Sequence, residues 1–265
     1  HSIMALSNIE KHYNKHPEDL RLQRRHGIVE FETTMHHLRR FLQPDSFVLD
    51  IGAGTGRYSS ALMAEGYRVK AVELVRRNIE VFLKREPSAD VVQGDARSMP
   101  FLPDHAADVT LLLGPLYHLI GDEEKLKALR EAKRVTKPGG LIFVAYLMNE
   151  YSILSYCFDE ERIGRLMDEG FVDETFHVRT PEGELYDYVR LEDIDRLDQA
   201  SQLERVTIFS PDGAADYMRT RLNHMSEETF ARFIDYQKCI SERPDLIGAG
   251  SHVVDVVRVP AEQND

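Results

Sequence analysis

The residues with the clearest chemical potential lie in the stretch VLDIGAGTGRYSSAL, Val48 to Leu62. One acid, Asp50, precedes three glycines at alternate positions, Gly52, Gly54 and Gly56, with Ala53 between the first two. Glycines allow a sharp turn and let a ligand come close to the backbone. Turns of this kind between a strand and a helix hold nucleotide-like cofactors of several sorts. Further along, Glu73 and Leu74 follow an apolar run, and Glu73 stands 21 residues beyond Gly52. A carboxylate there can accept two hydrogen bonds from a ribose diol. Gly94-Asp95-Ala96 is a third such stretch, and Leu113-Gly114-Pro115-Leu116-Tyr117-His118 is a fourth. His118 could act as a general base, since an imidazole titrates near neutrality, and Tyr117 stands beside it as a second pocket residue.

These stretches need a scaffold that brings them to one edge. Apolar, β-branched runs at Phe47–Ile51, Arg68–Glu73, Asp90–Gln93, Asp108–Leu113 and Leu141–Leu147 read as strands buried on both faces. Helical patterns lie between them at Arg57–Glu65, Arg76–Arg85 and Asp122–Val135. Gly66 is placed to end the first, Asp122 to cap the third, and Lys137-Pro138-Gly139-Gly140 to stop it. An earlier helix over 18–42 carries Ile28, Phe31, Met35, Leu38 and Leu42 on one face. Strict β-α alternation predicts a parallel sheet with helices on both sides. In such a sheet ligands bind past the carboxyl ends of the strands, where all four stretches fall. The pattern changes after residue 148. Residues 149–200 read as an insertion over one end of the sheet, with Tyr151, Tyr156, Tyr186 and Tyr188, beside Tyr146, as candidates for an aromatic pocket. Leu203–Phe209 and His252–Val259 read as closing strands, with helices between them.

Two kinds of cofactor compete for the first turn. The dinucleotide fingerprint G-x-G-x-x-G wants a glycine where this chain has Arg57, and the third glycine arrives one residue early. The alternative is a ligand without a pyrophosphate. Here the chain resembles the class I S-adenosylmethionine-dependent methyltransferases, whose first motif has the form (V/L)-L-D-(I/V)-G-x-G-x-G, matched by Val48 to Gly56. Glu73, Gly94-Asp95-Ala96 and the segment LREAKRVTKPGGL, Leu129 to Leu141, continue the likeness. The resemblance covers about residues 45–147 and looks like the bacterial small-molecule type.

The resemblance implies a Rossmann-like α/β fold. It would have seven strands in a mostly parallel sheet, helices on both faces, an N-terminal helical cap and an inserted lid after the fifth strand. One methyltransferase domain is expected over 1–265: cap 4–44, cofactor-binding core 45–148, lid 149–200, and closing strands and helices 201–265. S-adenosylmethionine would be the cofactor and S-adenosylhomocysteine its product. Gly52, Ala53 and Gly54 would pass under the methionine portion, with Asp50 toward its ammonium group. Glu73 would take the ribose hydroxyls, with Leu74 beside it. Asp95 and Ala96 would meet the adenine, and Leu113 and Gly114 the sulfonium. Early residues Tyr13 and Arg24 would cover the site, together with His26. The expected acceptor is a small molecule, methylated on oxygen or nitrogen by in-line displacement. An RNA or protein methyltransferase is the alternative, as is a non-catalytic S-adenosylmethionine-binding protein of the same fold.

Composition narrows the partners. Lys+Arg number 33 against 45 Asp+Glu, a net charge of −12 over 265 residues, which opposes a nucleic-acid footprint. Members that methylate base amines carry (D/N)-P-P-(Y/F) where this chain has Gly114-Pro115-Leu116-Tyr117, a departure at both defining places. The two cysteines, Cys157 and Cys239, have no metal or redox spacing. Adjacent His36 and His37 point about 100° apart on a helix, so no metal site is expected. No apolar run approaches membrane-spanning length, and no secretory leader is read; a cytoplasmic, reducing setting is expected. Oligomeric state is left open by the sequence.

Overall fold

The computed structural model describes residues 24–261. Helix α1 is Arg25–Phe41. The alternating core follows as β1 Phe47–Ile51, α2 Arg57–Ala64, β2 Arg68–Glu73, α3 Arg76–Arg85, β3 Asp90–Gln93, β4 Ala107–Leu112, α4 Asp122–Val135 and β5 Thr136–Leu147. A 3₁₀ turn, Pro115–His118, lies between β4 and α4. After β5 come α5 Asn149–Ser152, a π-helical turn Ile153–Phe158, α6 Ile163–Asp168 and α7 Leu191–Ser201. The chain closes with β6 Glu204–Phe209, α8 Arg219–His224, α9 Glu227–Ile240 and β7 His252–Arg258.

The seven strands form one sheet in the order β3-β2-β1-β4-β5-β7-β6. β7 runs antiparallel to both of its neighbours, and the other pairings are parallel. Strand order reverses between β1 and β4, which opens a crevice past their carboxyl ends. Pleating explains the apolar runs. Leu49 and Ile51 point into the layer under α4 and α7, while Val48 points to the layer under α1 and α2. Each face thus gets its own core, and no polar alternation is left in β1 except Asp50.

Four local expectations change. Helix α1 buries two faces rather than one. Met35, Leu38 and Leu42 pack on the sheet, while Ile28 and Val29 meet Ala215, Leu222 and Phe230 from the α8–α9 side. Being sandwiched, α1 also buries the polar residues His26, Glu30, Thr33, Thr34 and His37. Asp122 is not the cap of α4: Gly121 holds that position with a φ of 85°, and the Asp122 carboxylate takes Arg196 instead, at 2.9 Å. Lys137 to Gly140 lies inside the start of β5, where the register with β4 shifts between Ala107 and Val109. Finally, α7 packs Ile194 and Leu197 into the core beneath the sheet, so the last part of the inserted stretch belongs to the core. Gly66, with a φ of 92°, ends α2 as its position predicts.

Candidate active site

The crevice between β1 and β4 is a cavity lined by Asp50, Gly52 to Thr55, Glu73 to Val75, Gly94 to Arg97 and Leu113 to Leu119, with Arg57, Tyr58 and Asn78. The four stretches singled out by type and spacing therefore meet at one place. The glycine turn is held from both sides. Gly52 has a φ of 75°, and a Cβ there would lie 2.4 Å from the Pro115 ring, so the β1 and β4 turns can touch only through glycine. Gly56, with a φ of 83°, sits against the Phe82 ring and fixes α2 beside α3.

Glu73 anchors the first wall. Its Oε1 accepts from the Gly54 N–H at 3.0 Å, and its Oε2 accepts from the Val75 N–H at 2.9 Å and the Asn78 side chain at 3.0 Å. The carboxylate is thus clamped between the glycine turn and the head of α3. Asp50 is buried and accepts from the Ser59 hydroxyl at 2.6 Å. Burial pushes its carboxyl up to about 6, against the Ser59 hydrogen bond. Asp95 forms a fork with Arg97, whose Nη2 lies 2.7 Å from Asp95 Oδ2. Burial works to raise the Asp95 carboxyl, but the Arg97 guanidinium outweighs it and holds it below its usual range. Arg97 also reaches Glu124 at 2.7 Å, tying the turn to α4.

The opposite wall is aromatic. His118 Nδ1 lies 2.9 Å from the Leu185 carbonyl oxygen, so Nδ1 carries the proton and Nε2 is the basic nitrogen. Tyr186 stacks on the His118 ring with centroids 5.1 Å apart. The Asp187 N–H donates to the Tyr117 carbonyl at 2.8 Å, and the Val189 N–H to that of Leu147 at 3.0 Å. Lys125, almost fully buried, holds the Asp187 carboxylate and the Leu119 carbonyl. The segment 185–190 is thereby fastened to the Pro115–His118 turn, the end of β5 and the head of α4.

A family described as a methyltransferase domain matches residues 49–144. A demethylmenaquinone methyltransferase of Renibacterium salmoninarum is 38% identical over 102 residues, which are 38% of this chain and 41% of that protein. A protein of Mus musculus named a probable tRNA methyltransferase 9B is 28% identical over 142 residues, 48% of this chain and 31% of its own length. Among solved structures, a S-adenosylmethionine-dependent methyltransferase of Methanosarcina mazei superposes with a TM-score of 0.58 at 16% identity. The match covers 85% of this chain and 98% of the other. The chain carries a class I S-adenosylmethionine-dependent methyltransferase domain. It spans about two fifths of the length of the first curated relative it matches.

S-adenosylmethionine is the cofactor implied by the methyltransferase domain and its fold. The donor set suits it. Three carboxylates, from Asp50, Glu73 and Asp95, line the cleft against Arg57 and Arg97, and Arg97 is already engaged by Asp95 and Glu124. Such a lining favours a ligand bearing cationic ammonium and sulfonium groups over one bearing a pyrophosphate. Leu74, Ala96 and Leu113 add the apolar walls for a ring and a thioether.

Of the expected site residues, Asp50, Gly52, Ala53, Gly54, Glu73, Leu74, Asp95, Ala96, Leu113, Gly114, Tyr117 and His118 all line the cleft of the methyltransferase domain. Arg24 does not: it is exposed at the head of α1. Tyr13 lies outside the described residues. Arg97, Asn78 and Ser59 were not foreseen. Their signal was proximity in sequence to Asp95, Glu73 and the glycine turn, but nothing in their type demanded a role. The tyrosines divide. Tyr156, Tyr186 and Tyr188 line a second cavity of about 480 Å³ within the insertion, while Tyr146 is core and Tyr151 stacks edge-on to Tyr217. No helix among the described residues is long and apolar enough to cross a membrane. The spacing of the histidines offered no metal site, yet the fold brings Glu30, Asp212 and His252 together.

Proposed function

We propose that the protein transfers the methyl group of S-adenosylmethionine to a small molecule held between the Pro115–His118 turn and the inserted segment 149–190. The observation that carries this reading is the fastening of residues 185–190 to Tyr117, His118 and Lys125, which sets the insertion directly beside the turn that lines the cleft.

When bound, S-adenosylmethionine supplies a methyl group already activated by a positive sulfur. The chain's own work is alignment and exclusion of water. Glu73, held by Gly54, Val75 and Asn78, would fix a ribose diol, Asp50 an ammonium group, and Asp95 and Ala96 an adenine. Orientation of this kind can contribute roughly 7–11 kcal/mol to a barrier, whereas a general base typically gives about 10²- to 10⁴-fold. Alignment is the larger effect. His118 has the tautomer a base requires, with Nε2 as the accepting nitrogen, and Tyr117 shapes the same wall. The segment 149–190 is the proposed lid.

The similarity to a protein named a probable tRNA methyltransferase favours a second reading, an RNA acceptor. The net charge of −12 weighs against it. Incubation with labelled S-adenosylmethionine and separate metabolite, RNA and protein pools tests both. Label in the metabolite fraction is expected; label in RNA or protein alone would overturn the small-molecule reading, and donor binding with no label anywhere would favour a non-catalytic binder.

A further inference from the structure

Beside the cofactor cleft the fold builds a second polar centre from three parts of the chain that are far apart in sequence. A carboxylate oxygen of Glu30, one of Asp212 and a ring nitrogen of His252 all lie within 4.8 Å of one another. Glu30 comes from the polar face of α1, Asp212 from the loop after β6, and His252 from the first residue of β7. All three are at least nine-tenths buried, with exposures of 9%, 2% and 7%.

The centre is rigid. The His252 Nδ1–H reaches Asp212 Oδ2 at 2.6 Å, and the His252 backbone N–H reaches Oδ1 at 3.3 Å. The loop carrying Asp212 is pinned by Ser210, whose hydroxyl accepts from the Gly213 N–H and whose carbonyl accepts from Gln237 of α9. Arg25 donates to the Leu222 and Met225 carbonyls and so fixes α1 against α8. Around the centre stands a second ring of groups. Asp216 lies 3.6 Å from His26 and 2.8 Å from Arg219. Gathering three carboxylates and two imidazoles away from water costs free energy unless positive charge meets them. Arg219 meets Asp216 at the edge, and the His252 ring meets Asp212 at the centre.

From this convergence we propose that Glu30, Asp212 and His252 form a binding site for one divalent transition-metal cation. Two carboxylates with one imidazole are a donor set that suits manganese, iron(II) or zinc rather than calcium. A cation would take the place of the Nδ1 proton, which is released to solvent, so that His252 Nδ1 and an Asp212 oxygen become neighbouring ligands. The place has a chemical sense. His252 pairs with Leu147 at the carboxyl end of β5, and its ring meets the Tyr117 ring edge-on with centroids 6.0 Å apart. A cation there is one aromatic ring from the cleft, on the side proposed for the acceptor, where it could hold an acceptor oxygen or nitrogen.

The test uses Mn²⁺ alone, without any methyl donor, so its outcome stands apart from that of the proposed methyl transfer. Titration of the whole protein, freed of metal by chelator, is followed by calorimetry and by the paramagnetic signal of Mn²⁺. One equivalent is expected to bind, with ¹⁴N coupling from one imidazole. Glu30→Gln and Asp212→Asn should each weaken binding at least tenfold, and Asp216→Asn should weaken it less. Near-ultraviolet dichroism checks that each variant is folded, and the nitrogen coupling in the unaltered protein remains decisive if one is not. No saturable binding, no nitrogen coupling, or undiminished binding in a folded Glu30→Gln, Asp212→Asn double variant would overturn the assignment.

Discussion

The two walls of the cleft are assembled in different ways. The cofactor wall draws Asp50, Glu73, Asp95 and Gly114 from one run of chain, the first two at the ends of β1 and β2 and the others two residues past β3 and β4. The proposed acceptor side draws on the Pro115–His118 turn and on parts fastened or packed behind it: residues 185–190, α1, the loop at Asp212 and the start of β7. Parallel β-α units place strand ends side by side without help from distant residues, so the first wall follows from local order. The second exists only after long-range packing has brought its pieces together. One wall is therefore expected to lose ligand affinity when altered, the other to lose stability or closure.

Lys125→Met should have the largest effect. It leaves the Asp187 carboxylate buried without its ammonium partner, a loss of about 3 kcal/mol or more. Urea unfolding measures it. Affinity for S-adenosylhomocysteine in the folded variant should change little; an equal collapse of that affinity would erase the distinction between the walls.

Glu73→Ala follows, with methyl-donor affinity reduced by about 1.5–3 kcal/mol, the range for hydrogen bonds to a charged group. The variant also frees the Gly54 and Val75 N–H groups. Calorimetry reads the change directly.

Asp50 gives opposite pH trends for ligand and fold. Burial raises its carboxyl from 3.8 to about 6. Its stability contribution is present in full below 3.8 and is lost as pH rises to about 6. Binding of an ammonium-bearing ligand needs the ionised form, so affinity should fall about tenfold from pH 7.5 to pH 5. Asp50→Asn should abolish that pH dependence. A wild-type affinity that is flat across this range would remove Asp50 from the ligand's contacts.

The smallest effect belongs to Tyr186→Leu, which removes the stacking on His118 while keeping apolar bulk. A loss of about 0.5–1.5 kcal/mol in stability is expected from thermal unfolding. A tenfold change in cofactor affinity would show that this ring serves the other wall.

What was legible in the sequence follows the same division. The strands of the alternating half, the glycine turn and Glu73 could be read because residue type and local spacing determine them. Twelve of the expected residues line the cleft, and they belong to that half or to the turn after β4. Arg24 was read from a likeness of short segments and sits exposed instead. The buried polar face of α1 was hidden because the apolar stripe accounts for only one of its two packed sides. Glu30, Asp212 and His252 could not be joined by any spacing rule, since their meeting depends on how α1, the β6 loop and β7 dock. Asp122 reads as a cap in isolation, yet Arg196 from α7 competes for it in the fold.

Calorimetric titration of the unaltered protein and of Glu73→Ala with S-adenosylhomocysteine tests the central claim most directly. The account predicts saturable one-to-one binding that weakens about tenfold or more in the variant. No binding to the unaltered protein, or equal affinity in the two, would contradict it.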